Sequence, residues 1–181
     1  ADSLDFPVSE PATTTTEKLQ ADVQEGVRPS YYRLDAAIHF MKQTNFAYPA
    51  CPDCSKKLTQ GGDETWWCTK CESVRLVKWR YILQCSLIDH TGSLWATAFD
   101  DVAKTLLGFE AGELQGMDFD QLHPIFEACY FKQYVFRVRA QRDEGRLRVC
   151  ITRAEPAQST GRGWDLLNQI HGETCLTKAA R

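Results

Sequence analysis

Two Cys-x-x-Cys pairs, Cys51-Pro52-Asp53-Cys54 and Cys68-Thr69-Lys70-Cys71, flank residues 55–67. Four thiolates in two such knuckles can close a tetrahedron around one zinc ion, with Zn–S distances of about 2.3 Å. A shell of four thiolates leaves no open coordination position, so the implied zinc is structural and not catalytic. Two disulfides, or reduced and unligated thiols, are the competing readings. The paired spacing favours the metal, because a redox Cys-x-x-Cys is normally single and follows a βαβ pattern. Between the knuckles, Gly61-Gly62-Asp63 signals a turn, and Thr65-Trp66-Trp67 favours a strand. Together these features read as a zinc ribbon.

Other chemistry is sparse. His39, His90, His123 and His171 are scattered, with no triad or open metal site among them. Gly61-Gly62 and Gly161-Arg162-Gly163 lack the pattern and context of a phosphate loop. Asp100-Asp101 reads as a helix cap favoured by the N-terminal dipole. The expectation is therefore a binding module and not an enzyme.

The elements that must carry the knuckles follow from periodicity. Residues 1–29 read as a linker or N-terminal arm, with a short helix around Thr16 to Glu25. Tyr31 to Met41 alternates as a strand, with Leu34, Ala36, Ile38 and Phe40 on one face. The zinc ribbon occupies about 48–77. Trp79 to Asp89 and Leu94 to Asp100 form a hairpin around His90-Thr91-Gly92-Ser93. Helical signals follow. One runs from Asp100 to a C-cap at Gly108, and one covers roughly Gly112 to Ala128 with a break suggested by Pro124. Tyr130 to Arg142 and Arg146 to Glu155 form a second hairpin around Asp143-Glu144-Gly145. A short amphipathic helix is expected over Gly163 to Ile170. Five strands with a helix between the third and fourth is the layout of an OB-fold barrel. The chain thus divides into an arm (1–29), a mainly-β, five-stranded OB-fold barrel with the inserted four-Cys zinc ribbon (30–158), and a C-terminal helix with a tail (159–181).

Strand parity then assigns faces. Leu94, Ala96 and Ala98 suit a barrel interior, which puts Trp95 and Phe99 outside. Leu83, Cys85 and Leu87 fit the core, leaving Arg80, Ile82, Gln84 and Ser86 on the other face. Tyr134, Phe136 and Val138 point in, and Arg137 and Arg139 point out. Rings to stack bases and cations to track phosphates are what a single-strand groove needs. Trp95 and Phe99 lying under the ribbon, the arm or the terminal helix is the alternative. One of Trp66 and Trp67 is expected to pack the ribbon on the barrel.

The 181 residues carry a net charge of −3, which does not advertise nucleic acid. The charge is segregated, however. Phe99 to Glu127 holds seven acidic side chains against one lysine, and Tyr130 to Arg153 holds seven basic against two acidic. Cys85, Cys129, Cys150 and Cys175 lie far apart, and three of them fall in apolar runs that suit buried free thiols. Unpaired thiols beside a zinc ribbon point to a reducing compartment, cytosol or nucleus. No apolar run approaches the roughly 18 residues of a bilayer span, and no signal peptide is visible, so no membrane partner is expected. The chain starts at Ala1 without Met, which suits a piece of something larger.

The series Tyr48 to Lys57, Cys68 to Cys71, Trp79 to Leu83, Leu94 to Phe99 and Tyr134 to Arg139 resembles the C-terminal DNA-binding domain of the large subunit of replication protein A. The resemblance covers roughly Pro29 to Ile170. It implies a zinc-bearing OB-fold that binds single-stranded DNA in replication, repair and recombination, in the nucleus. It places Cys51, Cys54, Cys68 and Cys71 as zinc ligands and Trp95 and Phe99 as the aromatic pair of the single-strand face. Beside that pair, Trp79 is a further stacking candidate. Arg80, Arg137, Arg139, Lys56 and Lys57 are candidate phosphate contacts. The resemblance also makes the helix carrying Trp164, Leu167 and Ile170 the element that packs with two smaller OB-fold subunits into a heterotrimer. A module that mainly scaffolds that trimer, and a telomere or meiosis paralogue, are the alternatives.

Overall fold

The computed structural model describes residues 11–25, 28–62 and 65–157. The expected helix over Trp164, Leu167 and Ile170, and Cys175, lie outside the described residues. In chain order the elements are β1 (Thr13–Thr14), α1 (Thr16–Asp22), β2 (Ser30–Met41), β3 (Ala47–Ala50), β4 (Thr59–Gln60), β5 (Trp66–Cys68) and β6 (Ser73–Val74). They continue with β7 (Lys78–Ile88), β8 (Ser93–Phe99), α2 (Asp100–Leu107), α3 (Ala111–Gln115), α4 (Phe119–Glu127), β9 (Gln133–Asp143) and β10 (Arg146–Pro156).

Five long strands close on themselves. The hydrogen-bonded order β2-β9-β10-β8-β7 is completed by a β7–β2 pairing, so no edge is left in the ring. Four of the five junctions are antiparallel, and β10 runs parallel to β8. The inward alternation on each strand fills the interior: Leu34, Ile38, Leu83, Ala98, Phe136 and Val138 are all fully buried. Turn chemistry agrees with the register. The β9–β10 hairpin turns on Glu144 and Gly145, both at positive φ, as a two-residue type I′ loop requires.

Phe40 departs from simple alternation. The β2–β7 register slips between Ile38 and Phe40, with Leu87 opposite Ile38 and Ser86 opposite Phe40. This bulge at His39 turns Phe40 outward and returns Met41 to the core. The expectation that Phe40 shares a face with Leu34, Ala36 and Ile38 is therefore corrected: a bulge reverses parity.

The helices carry two further corrections. The stretch from Gly112 onward divides at Gly116–Asp118, not at Pro124, which sits inside α4. A capping box of Asp118 with Gln121 restarts the chain there. Asp100 does not cap α2 through its side chain. Its carboxylate instead accepts hydrogen bonds from Arg80 Nε (3.0 Å) and the Tyr81 N–H (3.1 Å), latching α2 to β7. Gly108 closes α2 in the left-handed conformation, as expected.

Part of the N-terminal stretch packs on the barrel. β1 runs parallel to β2, and Thr16, Leu19 and Val23 of the α1 segment are buried in the core. Asp89 holds the start of α1: its oxygens accept from the Thr16 N–H (2.7 Å) and the Thr16 hydroxyl (2.8 Å). Arg142 holds the other end, donating to the backbone carbonyls of Val23 (2.9 Å) and Gln20 (2.8 Å). Burial by itself would raise the Asp89 pKa, but donors from Thr91 and Thr16 outweigh it and bring it down to about 2. A carboxyl with a depressed folded pKa stabilises above its unfolded value, near 4, and loses that contribution as pH falls through about 2. Discounted for solvent exposure, the contribution is on the order of 1 kcal/mol. Asp89→Asn is expected to lower urea stability by that amount at pH 7. The gap to the unmodified chain should narrow from pH 4 down to pH 2, and a gap that stays constant with pH contradicts the assignment.

Candidate single-strand groove and cysteine ribbon

The ribbon grows out of the barrel. β3 pairs with the first residues of β7, Ala47 opposite Tyr81 through Ala50 opposite Lys78, and so carries the first knuckle upward from the sheet. β4, β5 and β6 form a separate three-stranded sheet that carries the second. Each knuckle ends on a residue at positive φ, Ser55 (60°) and Glu72 (49°), so the two loops share one backbone turn.

All four thiol sulfurs lie within 4.8 Å of one another. The Cys54–Cys68 and Cys51–Cys71 Sγ separations are 3.4 and 3.9 Å. A tetrahedron of 2.3 Å radius has edges of about 3.8 Å, so the cluster has the dimensions of one four-thiolate metal site. The Cys71 N–H donates to Cys68 Sγ at 3.4 Å. That backbone donor brings the Cys68 pKa down to about 6, against the opposing effect of burial, and favours a thiolate at neutral pH. The neighbouring sulfurs of Cys54 and Cys68 push the Cys71 pKa the other way, up to about 12, so without an ion the four do not ionise together, and a divalent cation at their centre would favour the thiolate form of each.

Trp66 joins ribbon to barrel. Its ring meets Trp79 edge-on, with centroids 6.5 Å apart and an interplanar angle of 74°. Trp79 in turn packs on the barrel core, and a Cβ added at Gly112 would lie 3.7 Å from its ring. Trp79 is thus engaged on both sides, which makes it a poor stacking surface for a ligand. Trp67 is exposed.

The outer face of β7 and β8 carries the groove. Register pairs Ile82 with Phe99, Gln84 with Thr97 and Ser86 with Trp95. Trp95 is 51% and Phe99 46% exposed, while Ala96 and Ala98 between them are buried. Parallel β10 sets Cys150 beside Thr97, which puts Arg148 alongside Trp95. These side chains border an open cleft of ≈ 360 Å³. Cys150 therefore lines the groove at intermediate exposure, unlike the buried free thiols Cys85 and Cys129. Burial raises the pKa of both, Cys85 to about 12, so neither is a reactive thiolate.

The cations are distributed unevenly. Arg139 lies opposite Cys150 and Tyr31, extending the Gln84–Thr97–Cys150 row onto β9 and β2. At about 4.8 Å per strand, Arg139 stands about 10 Å around the barrel from Thr97. Arg137 lies one row away, opposite Arg33 and Arg153. Arg80 is committed to Asp100. Lys56 and Lys57 are exposed on the ribbon, beside the first knuckle. Sequence parity missed two residues at the groove: Phe40, reversed by the bulge, and Lys42, whose ammonium lies 5.6 Å from the Trp95 ring centroid. It also passed over Arg148, which the alternation with buried Val149 and Ile151 could have revealed.

A closed barrel of this strand order with a helix between the third and fourth long strands is an OB-fold. Residues 31–162 match the family described as "Replication factor-A C terminal domain", and the chain belongs to that family. It is similar to Replication factor A protein 1 of Saccharomyces cerevisiae, 43% identical over 119 residues, or 62% of this chain and 19% of the relative. It is also similar to Replication factor A protein 1 of Schizosaccharomyces pombe, 38% identical over 134 residues, or 68% of this chain and 22% of that protein. The chain thus spans about a fifth of the length of these relatives. Among solved structures it is similar to a chain of yeast RPA bound to ssDNA, with a TM-score of 0.72 and 32% identity over 91% of this chain and 99% of that one. A chain of a replication protein A heterotrimer bound to ssDNA superimposes with a TM-score of 0.78 at 28% identity, over 88% of this chain and 40% of that one.

The joint between ribbon and barrel can be measured. A double-mutant cycle between Trp66→Ala and Trp79→Ala should give a coupling of roughly 0.5–1.5 kcal/mol in unfolding free energy. Strictly additive effects would show that the two rings do not act as a unit.

Proposed function

We propose that this chain is a single-stranded DNA-binding domain of a replication-protein-A-like large subunit. The observation that carries this reading is the exposed Trp95–Phe99 pair on the outer face of β8, flanked by Arg148 and Lys42. Bases stack on these rings, and Arg139, Arg137, Arg148 and Lys42 track the phosphates. Lys56 and Lys57 extend the positive field onto the ribbon. Arg80 acts at one remove, by fixing α2 to β7 through Asp100. Membership of the family and likeness to chains described as bound to ssDNA support the reading. The reading is of a binding module and not an enzyme, which membership of the family supports.

Cys51, Cys54, Cys68 and Cys71 hold one structural zinc ion in this proposal. The dimensions of the sulfur cluster and the Cys71 N–H donor to Cys68 support it. The ion ties the two knuckles together, and β3 transmits that order to the start of β7. Assembly with two smaller OB-fold subunits through Trp164, Leu167 and Ile170, and a place of action in the nucleus, belong to the same proposal. Likeness to a chain of a replication protein A heterotrimer supports the assembly.

Trp95→Ala and Phe99→Ala should each weaken oligo-dT binding by about 1–3 kcal/mol, and affinity should fall as salt rises. Unchanged affinity in both variants would remove the basis of the reading. Chelation should make the ribbon protease-sensitive while the barrel keeps its far-UV spectrum. A ribbon that stays resistant after verified metal loss would mean the cysteines act without an ion.

A further inference from the structure

A second open cleft, ≈ 570 Å³ in volume, lies on the far side of β7 from the Trp95–Phe99 groove. Ile82 and Gln84 line both clefts, so the two adjoin on the outer face of β7. Beyond β7 the second cleft passes Phe40 and Lys42 and ends against α4, at Phe119 and His123. Phe119 is 64% exposed, too open to serve the core. Its ring lies nearly parallel to the His123 imidazole, with centroids 5.3 Å apart and an angle of 19°. Gln43, from the β2–β3 loop, hydrogen-bonds His123 Nδ1 at 3.0 Å, and Glu127 faces Nε2 at 3.1 Å. The imidazole is thus held from both ring nitrogens, which fixes the platform on which the phenyl ring rests.

We propose that the Phe119–His123 pair is an additional base-stacking station for single-stranded nucleic acid, reached by a strand that continues from the β8 groove across Ile82 and Gln84. The occupant is the same polymer and not a second ligand, because the two clefts share Ile82 and Gln84, and Lys42, which lines the second cleft, holds its ammonium 5.6 Å from the Trp95 ring centroid, where it can meet a phosphate. A rigid, solvent-facing pair of flat rings suits any base, so the station extends the footprint without adding sequence preference. Asp118 at the N-cap of α4, with Asp120 and Glu127 within it, disfavours phosphate close to the helix, which leaves stacking, and not ion pairing, as the interaction at this end. The inference rests on the proposed single-strand function.

The test compares Phe119→Ala and Trp95→Ala on oligo-dT of about 4 and about 12 nucleotides, at low salt and with the whole chain. Phe119→Ala should leave the short oligonucleotide unaffected and weaken the long one at least about fivefold, whereas Trp95→Ala should weaken both. Phe119→Tyr, which keeps the flat ring, should restore long-oligonucleotide affinity. If Trp95→Ala weakens binding and Phe119→Ala matches the unmodified chain at both lengths, the α4 station is wrong while the groove stands. If neither variant changes binding at either length, the single-strand reading itself fails, and this inference with it.

Discussion

The alternation of side chains along β8 governs what the molecule can do. The barrel interior accepts Leu94, Ala96 and Ala98 and closes tightly over them, so the residues between must face out. A slip of one position would drive an indole and a phenyl ring into space sized for methyl groups. The register of β8 is held on both sides, by seven cross-strand partners on β7 and by the parallel strand β10. The exposed rings are therefore a consequence of how the core is filled, and their solvation cost is tolerated only because the barrel has no room for them.

The ribbon and the barrel are built on one continuous backbone. β3 extends the sheet past the closed ring and hands the chain to the first knuckle, while β7 brings it back. Trp66 on Trp79 makes the same junction through side chains. Order at the cysteine cluster is thus conveyed to the end of β7 that carries Arg80, Tyr81 and Ile82. Tyr81 fastens that end to the helices: its hydroxyl donates to the Phe109 carbonyl at 2.9 Å, and burial pushes its pKa up. Groove, helices and ribbon meet at these few residues.

Much of this was legible in the amino-acid order. Cys-x-x-Cys spacing identified the cluster, and period-two alternation placed Trp95, Phe99, Arg137 and Arg139 on the outside. What alternation could not carry was any break in itself. The bulge at His39 reversed Phe40, and no local feature of His39 announces a bulge. Side-chain commitments were also hidden. Arg80 and Asp100 are twenty positions apart in sequence, and only the β7–β8 hairpin brings them within 3.0 Å. Arg142 counted toward a basic sector, yet it is spent on α1, across 119 positions of chain. Pro124 looked like a break, but the capping box at Asp118 had already restarted the helix. Contacts between distant elements decide these cases, and composition or periodicity does not register them.

The central claim is that bases stack on the outer face of β8. The indole N–H resonance of Trp95, followed by NMR during titration of the whole chain with oligo-dT, tests it most directly. Ring currents from a stacked base should move that resonance strongly and saturably, while those of Trp66 and Trp79, locked at the ribbon joint, move little. A titration in which Trp95 stays in place while binding proceeds would contradict the account.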